Sequence, residues 1–293
     1  MTIGCRIRTD SPKRPSWPSR HRCNLYAETV THSRMTAASD DSVEDGKQLF
    51  RIESTGHRLE SITHSFLLVV VAFLVAGLAS QGGTSLLQSV GLTEEATPVV
   101  SQLVPMSLHF VGLLVAVAVY VDLQDARSLV SIRRPNLREV GWMVGGFVGF
   151  AAALAGFDAL LSQLGYAPAD NVSVEAGREH PRLFLYLIPV VVLLNAPAEE
   201  LLFRGVVQGL FRRAYGVVPA ILAAAAIFGL IHYVALVDSG SRLAYVAIAV
   251  VSGLLLGALY EYTDNLVVPI AVHACWNVLV YLSLYVRTAG NPL

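Results

Sequence analysis

The chain has 293 residues, of which 54% are hydrophobic and only 15% charged, with a mean hydropathy of +0.55. A soluble domain usually carries about 25% charged residues, so this chain lacks the surface that water demands, and an ordinary cytosolic protein is excluded. The net charge of −1, with no basic stripe beyond the N-terminal segment, excludes a nucleic-acid partner.

Residues 1–60 are polar and charged, and apolar runs recur over residues 61–293. The first 34 residues carry seven Arg or Lys against Asp10 and Glu28, and they lack the apolar core of a signal peptide. From Met35 the composition turns acidic and small, which marks Met35 as a candidate start and residues 1–34 as translated upstream sequence. So polar a tail buries too little apolar surface to offset its ordering entropy, and disorder is expected. A basic tail drawn to anionic lipid is the other reading. The three cysteines, Cys5, Cys23 and Cys275, form no CxxC, so neither a disulfide framework nor a thiolate zinc site is supported. Only Lys13 and Lys47 are lysines, and the arginine bias suggests a GC-rich prokaryotic genome.

Inside hydrocarbon every backbone N–H and C=O must be paired within its own segment, so an uncharged run of about 18 residues or more predicts a spanning helix. Such runs fall at Ser61–Thr93, Ala96–Val121, Val140–Phe157, Ala214–Val237, Leu243–Tyr260 and Asn265–Val286. A shorter one, Leu183–Ala198, ends in two glutamates. The expected fold is all-α, a polytopic transmembrane bundle of about seven to eight helices. The loop after the first span has no arginine, whereas the loop after the second carries Arg127, Arg133, Arg134 and Arg138. By the positive-inside rule the N-terminus is cytoplasmic, which places an integral protein in the plasma membrane of a prokaryote. Gly145 with Gly149, and Gly253 with Gly257, are spaced to let helices approach closely.

A charge at the bilayer centre costs at least about 2.5 kcal/mol, so each one in a span needs a partner or a function. Asn195-Ala-Pro-Ala-Glu-Glu-Leu-Leu-Phe-Arg-Gly205 concentrates three. Pro197 predicts a break, with a new helix starting at the glutamates. Glu200 and Arg204 are four apart on one helical face and can pair, whereas Glu199 points about 100° away and is left free for chemistry. If the helices run straight, Glu199 falls near the cytoplasmic end of its span and His232 about 20 Å from that side, so the two are level only if Pro197 starts a separate helix or the Arg212–Arg213 loop is not where the chain exits.

Two more clusters lie downstream, Phe228-Gly-Leu-Ile-His232 and His273-Ala-Cys-Trp-Asn277. A lone histidine on an apolar helix is usually a packing residue. Two of them on separate spans, beside a free glutamate and an asparagine, supply a carboxylate to take a proton, imidazoles to orient water or bind metal, and an amide to hold an oxyanion. That inventory suits water attacking an amide bond. No serine or cysteine nucleophile elbow and no HExxH is present.

EELLFRG at Glu199–Gly205, FGLIH at Phe228–His232 and GLLLGALYEYTDNLVVPIAVHACWN at Gly253–Asn277 resemble the three motifs of the CAAX prenyl endopeptidase and bacteriocin-processing intramembrane protease family, over residues 183–285. The resemblance implies a helical intramembrane peptidase. In it Glu199, assisted by His232, activates water, His273 and Asn277 hold the oxyanion, and Glu200 with Arg204 braces the glutamate helix, near Phe228. It leaves the cofactor open, because a glutamate with His232 and His273 can act on water directly or hold a divalent metal such as zinc. The expected substrate is a membrane-bound, lipidated or strongly apolar peptide. It is expected to enter sideways near Gly253 and Gly257, with a water-filled cavity open to the cytoplasmic face. Two alternatives compete: a catalytically inactive immunity or scaffold relative, and a proton-coupled transporter, which predicts paired interrupted helices where only one charged break is found.

Overall fold

The computed structural model describes residues 48–237 and 240–290. The expected disorder of the N-terminal tail and the question of Met35 lie outside these residues. Eight helices follow in order: α1 (Thr55–Ser89), α2 (Pro98–Leu123), α3 (Leu137–Gln163), the short α4 (Val172–Glu179), α5 (Arg182–Tyr215), α6 (Val217–His232), α7 (Arg242–Thr263) and α8 (Val267–Ala289). All but α4 belong to segments long and apolar enough to cross a membrane, seven among the described residues. The chain is an integral membrane protein of the all-α class. Among the described residues no strand forms, and two isolated bridges, Pro168 with Ser241 and Asn171 with Leu236, tie the loop before α4 to the loop before α7.

The sequence predicts a break at Pro197, and the chain instead runs on as one helix from Arg182 to Tyr215. Two π-helical stretches, Val191–Asn195 and Leu201–Val207, flank the turn that holds Pro197, Glu199 and Glu200. A proline lacks the N–H for the usual bond and crowds the carbonyl four residues back. Widening the adjacent turn makes room for the ring without ending the helix. The chain turns back at Gly216, whose φ of +89° suits glycine alone. A side chain there would also strike the segment before α1, whose Gln48 and Leu49 carbonyls accept the N–H groups of Val217 and Val218 at 3.0 and 3.1 Å. Those donors open α6 and have no partner inside it.

This continuity settles the depth problem. Glu199 lies seventeen residues before Gly216 and His232 sixteen after it, so at about 1.5 Å per residue both stand about 24 Å from the same turn. They are level because the α5–α6 hairpin folds them together.

Loops collect at two ends. At one, Arg213 donates to Ser128 Oγ at 2.8 Å, Leu266 N donates to Ser131 O at 2.8 Å, and Arg133 pairs with Glu139, the residue that closes the capping box of α3. Arg127, Arg133, Arg212 and Arg213 therefore share one end of the bundle. The α1–α2 loop and the loops flanking α4 and preceding α7 lie at the other.

The core is built where small residues let helices touch. A side chain at Gly112 of α2 would come within 3.0 Å of Ala76 Cα on α1, and one at Gly253 of α7 within 2.9 Å of Ala225 Cα on α6. A side chain at Gly257 would come within 2.7 Å of Gln208 Oε1. The pair expected to leave space for sideways substrate passage is therefore a closed seam. The other expected seam is absent, since nothing lies within 4 Å of a Cβ placed at Gly145 or Gly149, and on α3 it is Gly146 that faces Leu259 and Val272. Gly253→Leu should part α6 from α7 and lower stability by about 1–3 kcal/mol, read as a fall in detergent melting temperature, whereas Gly149→Leu should leave it unchanged. Equal melting of the two variants would refute this packing account.

Candidate active site

Glu199 and Glu200 stand in the middle of α5, and burial separates them only slightly, with relative exposures of 9% and 0%. Their partners separate them fully. Arg204 Nη1 donates to Glu200 Oε1 at 3.0 Å, one turn along the same helix, with only 1% of the arginine exposed. His273 Nδ1 of α8 donates to the same oxygen at 2.8 Å. The guanidinium also lies over the Phe228 ring, 4.3 Å from its centroid, where the negative face of the ring attracts a cation.

Glu199 is not free of structural partners, as its spacing suggested. Asn195 Nδ2, four residues earlier, donates to Glu199 Oε1 at 2.8 Å, and Asn277 Nδ2 of α8 donates in turn to Asn195 Oδ1 at 2.9 Å. A chain of two amides thus fixes the carboxylate and connects α8 to α5. The other oxygen, Oε2, faces His273 Nε2 at 3.9 Å. That separation exceeds a hydrogen bond, so this oxygen keeps its capacity to accept.

His232 joins less directly. Among the described residues no hydrogen bond or ion pair links it to Glu199. Its Nδ1 lies 2.6 Å from the carbonyl oxygen of Phe228. A carbonyl only accepts, so Nδ1 carries a proton, and in the neutral imidazole Nε2 is then the acceptor. Phe228 is the common wall: its ring lies edge-on to His232 at 4.5 Å, to His273 at 6.3 Å and to Phe203 at 5.1 Å. Phe228 and Arg204 sit twelve residues on either side of Gly216, which is why the hairpin stacks them.

A zinc centre needs three protein ligands around one point. Nδ1 of His273 is engaged by Glu200 and Nδ1 of His232 by a backbone carbonyl, which leaves each Nε2 available, while among the described residues no three His, Cys, Asp or Glu side chains gather as a ligand set.

Residues 181–279 match the family described as Type II CAAX prenyl endopeptidase Rce1-like. The match supports the CAAX prenyl endopeptidase and bacteriocin-processing family for this segment. No curated protein and no solved structure matches the chain. The endopeptidase segment covers α5 to most of α8, and so holds Glu199, Glu200, Arg204, Phe228, His232, His273 and Asn277.

Sequence reasoning missed Asn195 beside Glu199 and the half-buried His109. Asn195 was in view at the head of the motif, and its i−4 spacing from Glu199 was the available signal. His109 of α2 packs between Phe73 and Phe110 at ring distances of 5.9 and 5.3 Å. An ionisable residue alone in the Ala96–Val121 run was signal enough. The endopeptidase segment is further clamped by Gln208, whose Nε2 donates to Gly257 O at 3.1 Å and to Glu261 Oε1 at 2.9 Å.

Proposed function

We propose that this protein is an intramembrane endopeptidase that hydrolyses peptide bonds in membrane-associated, lipidated or apolar peptides. The observation that carries the reading is Glu199 itself: a nearly buried carboxylate with one oxygen fixed by Asn195 and the other turned toward an imidazole, inside a segment of an endopeptidase family. A buried carboxylate with no paired cation is costly unless it serves a function.

In this reading a water molecule lies between Glu199 and His232. Glu199 Oε2 takes its proton as the oxygen attacks the carbonyl carbon, and the lone pair on His232 Nε2 aligns the second proton. The developing oxyanion is met by the second N–H of the Asn277 amide, the first being engaged by Asn195, and by Nε2–H of His273 with its ring carrying both protons, Nδ1–H being held by Glu200. When the C–N bond breaks, the proton held by Glu199 passes to the departing amine, which leaves a carboxyl group on one product and an amine on the other. Glu200 and Arg204 touch no reacting atom and act by holding His273 and the helix. No step requires a metal.

The catalytically silent alternative draws no support from a site in which each motif side chain is present. Incubating the purified protein in heavy-oxygen water with a panel of farnesylated and unmodified apolar peptides should place one solvent oxygen in the new carboxyl group of each product, read by mass spectrometry. His232→Ala should slow this incorporation about 10²-fold or more. Absence of any solvent oxygen in the products would refute water as the nucleophile.

A further inference from the structure

His232 is the last residue of α6, and its own helix gives it little support. A short 3-10 turn, Tyr233–Ala235, follows, and at Leu236 the chain is extended. Helix ends fray, yet a group that orders a reacting water must keep its place, because a misplacement of about 1 Å costs about 10²-fold in rate. The contact of His232 Nδ1 with Phe228 O at 2.6 Å reaches back one turn along α6, so it fixes the ring only relative to that helix end.

Two supports come from outside α6, and both lead to Asn171. The first is backbone. Asn171 forms an antiparallel bridge with Leu236, and Val237 N donates to Asp170 O at 3.0 Å, so the chain leaving His232 is tied to the loop before α4. The same loop holds the start of α7, where Ala169 N donates to Ser241 O at 3.2 Å and Ser241 N to Ala167 O at 2.8 Å. The second support is a ring. Tyr245 of α7 lies 6.2 Å from the His232 ring, tilted by 31°, and Phe228 stands edge-on to it at 4.5 Å, both within the range of interacting rings. The Tyr245 hydroxyl accepts from Asn171 Nδ2 at 3.1 Å. Asn171 is itself held, since its Oδ1 caps α4 by accepting from Val174 N at 3.0 Å. A phenylalanine would supply the same ring, and the bond to Asn171 accounts for the hydroxyl.

Resting on the peptidase reading of His232, we propose that Asn171 and Tyr245 are positioning residues for its imidazole: the Asn171 amide fixes the phenol, and the phenol ring keeps His232 Nε2 directed at the hydrolytic water. Neither residue touches a reacting atom. Asn171 precedes the endopeptidase match at residues 181–279, so the machinery that places His232 reaches back into the loop before α4. Through its backbone, its carbonyl oxygen and its amide nitrogen, this one residue joins the end of α6, the start of α4 and the first turns of α7.

The test uses the full chain and a peptide from the farnesylated and unmodified panel that the parent cleaves. Tyr245→Phe keeps the ring and loses the bond, whereas Asn171→Ser keeps a cap for α4 and has no amide to reach the phenol. Each should lower kcat about tenfold with KM and melting temperature unchanged, the mark of an interaction that matters in the transition state alone. Because both substitutions break one bond, the double variant should lose no more than either single variant. Asn171→Asp keeps the cap and accepts from the Tyr245 O–H with its second oxygen, so it should restore kcat to within about twofold of the parent. Parental kcat in Tyr245→Phe, losses that multiply to about a hundredfold in the double variant, a KM that rises while kcat holds, or Asn171→Asp as slow as Asn171→Ser would each overturn the positioning account. His232→Ala in the same assay separates that failure from a deeper one: if it loses activity while Tyr245→Phe does not, the peptidase reading stands without these positioning residues. A parent that cleaves none of the peptides would instead sink the peptidase reading, and the positioning account with it.

Discussion

Glu199→Gln is expected to lower peptide cleavage by about 10³-fold while the protein melts at the parental temperature. The substitution is chosen because the two oxygens of Glu199 do different things. Oε1 accepts from Asn195 Nδ2 at 2.8 Å, and a glutamine carbonyl accepts that bond equally well, so the Asn277–Asn195 link between α8 and α5 survives. Oε2, which faces His273 Nε2 at 3.9 Å, becomes an amide that cannot take a proton from water. Loss of a general base typically costs 10²–10⁴-fold, and removing a buried carboxylate does not destabilise a site that contains no cation for it alone. Cleavage within tenfold of the parent, in a variant of unchanged melting temperature, would remove Glu199 from the mechanism.

Arg204→Met should do the reverse, with stability falling first. Arg204 is 1% exposed, and its partner Glu200 is fully buried. Breaking such a pair from one side strands the other charge in a low-dielectric interior, at a cost of about 3–5 kcal/mol. His273 still donates to Glu200 at 2.8 Å, which moderates the loss toward the lower figure. The lost stacking of the guanidinium on Phe228 at 4.3 Å adds to it. The double variant Glu200→Gln/Arg204→Met should recover much of the melting temperature, because glutamine keeps an acceptor for His273 and leaves no buried charge. Arg204→Met melting like the parent, or the double variant melting no better than the single one, would show that the pair does not brace the helix.

The spans were legible because hydrocarbon imposes a local rule: each helix must satisfy its own backbone, so charge-free length alone reveals it. Six of the seven apolar runs agree with observed helices within a few residues. Leu183–Ala198 was read short because Glu199, Glu200 and Arg204 interrupt the apolar pattern, while the helix itself continues to Tyr215. Its burial explains the exception, since charges that face the bundle interior and pair there do not stop a span. Spacing also revealed the Glu200–Arg204 proximity, an i, i+4 relation within one helix. It misjudged Asn195, whose i−4 relation to Glu199 bridges the end of a π-helical stretch, and it assigned Gly145 and Gly149 to a seam that Gly146 occupies.

By itself, the sequence determined the helices, the membrane environment and the identities of the polar groups, since each is encoded within a few turns of chain. Only the tertiary structure decided which of those groups meet. The level of Glu199 with His232 follows from the hairpin at Gly216, and the Asn277–Asn195–Glu199 chain and the contact of His273 with Glu200 depend on how α8 lies against α5. Contacts between distant segments are set by packing angles and by which small residues allow close approach, and hydropathy along one chain carries neither.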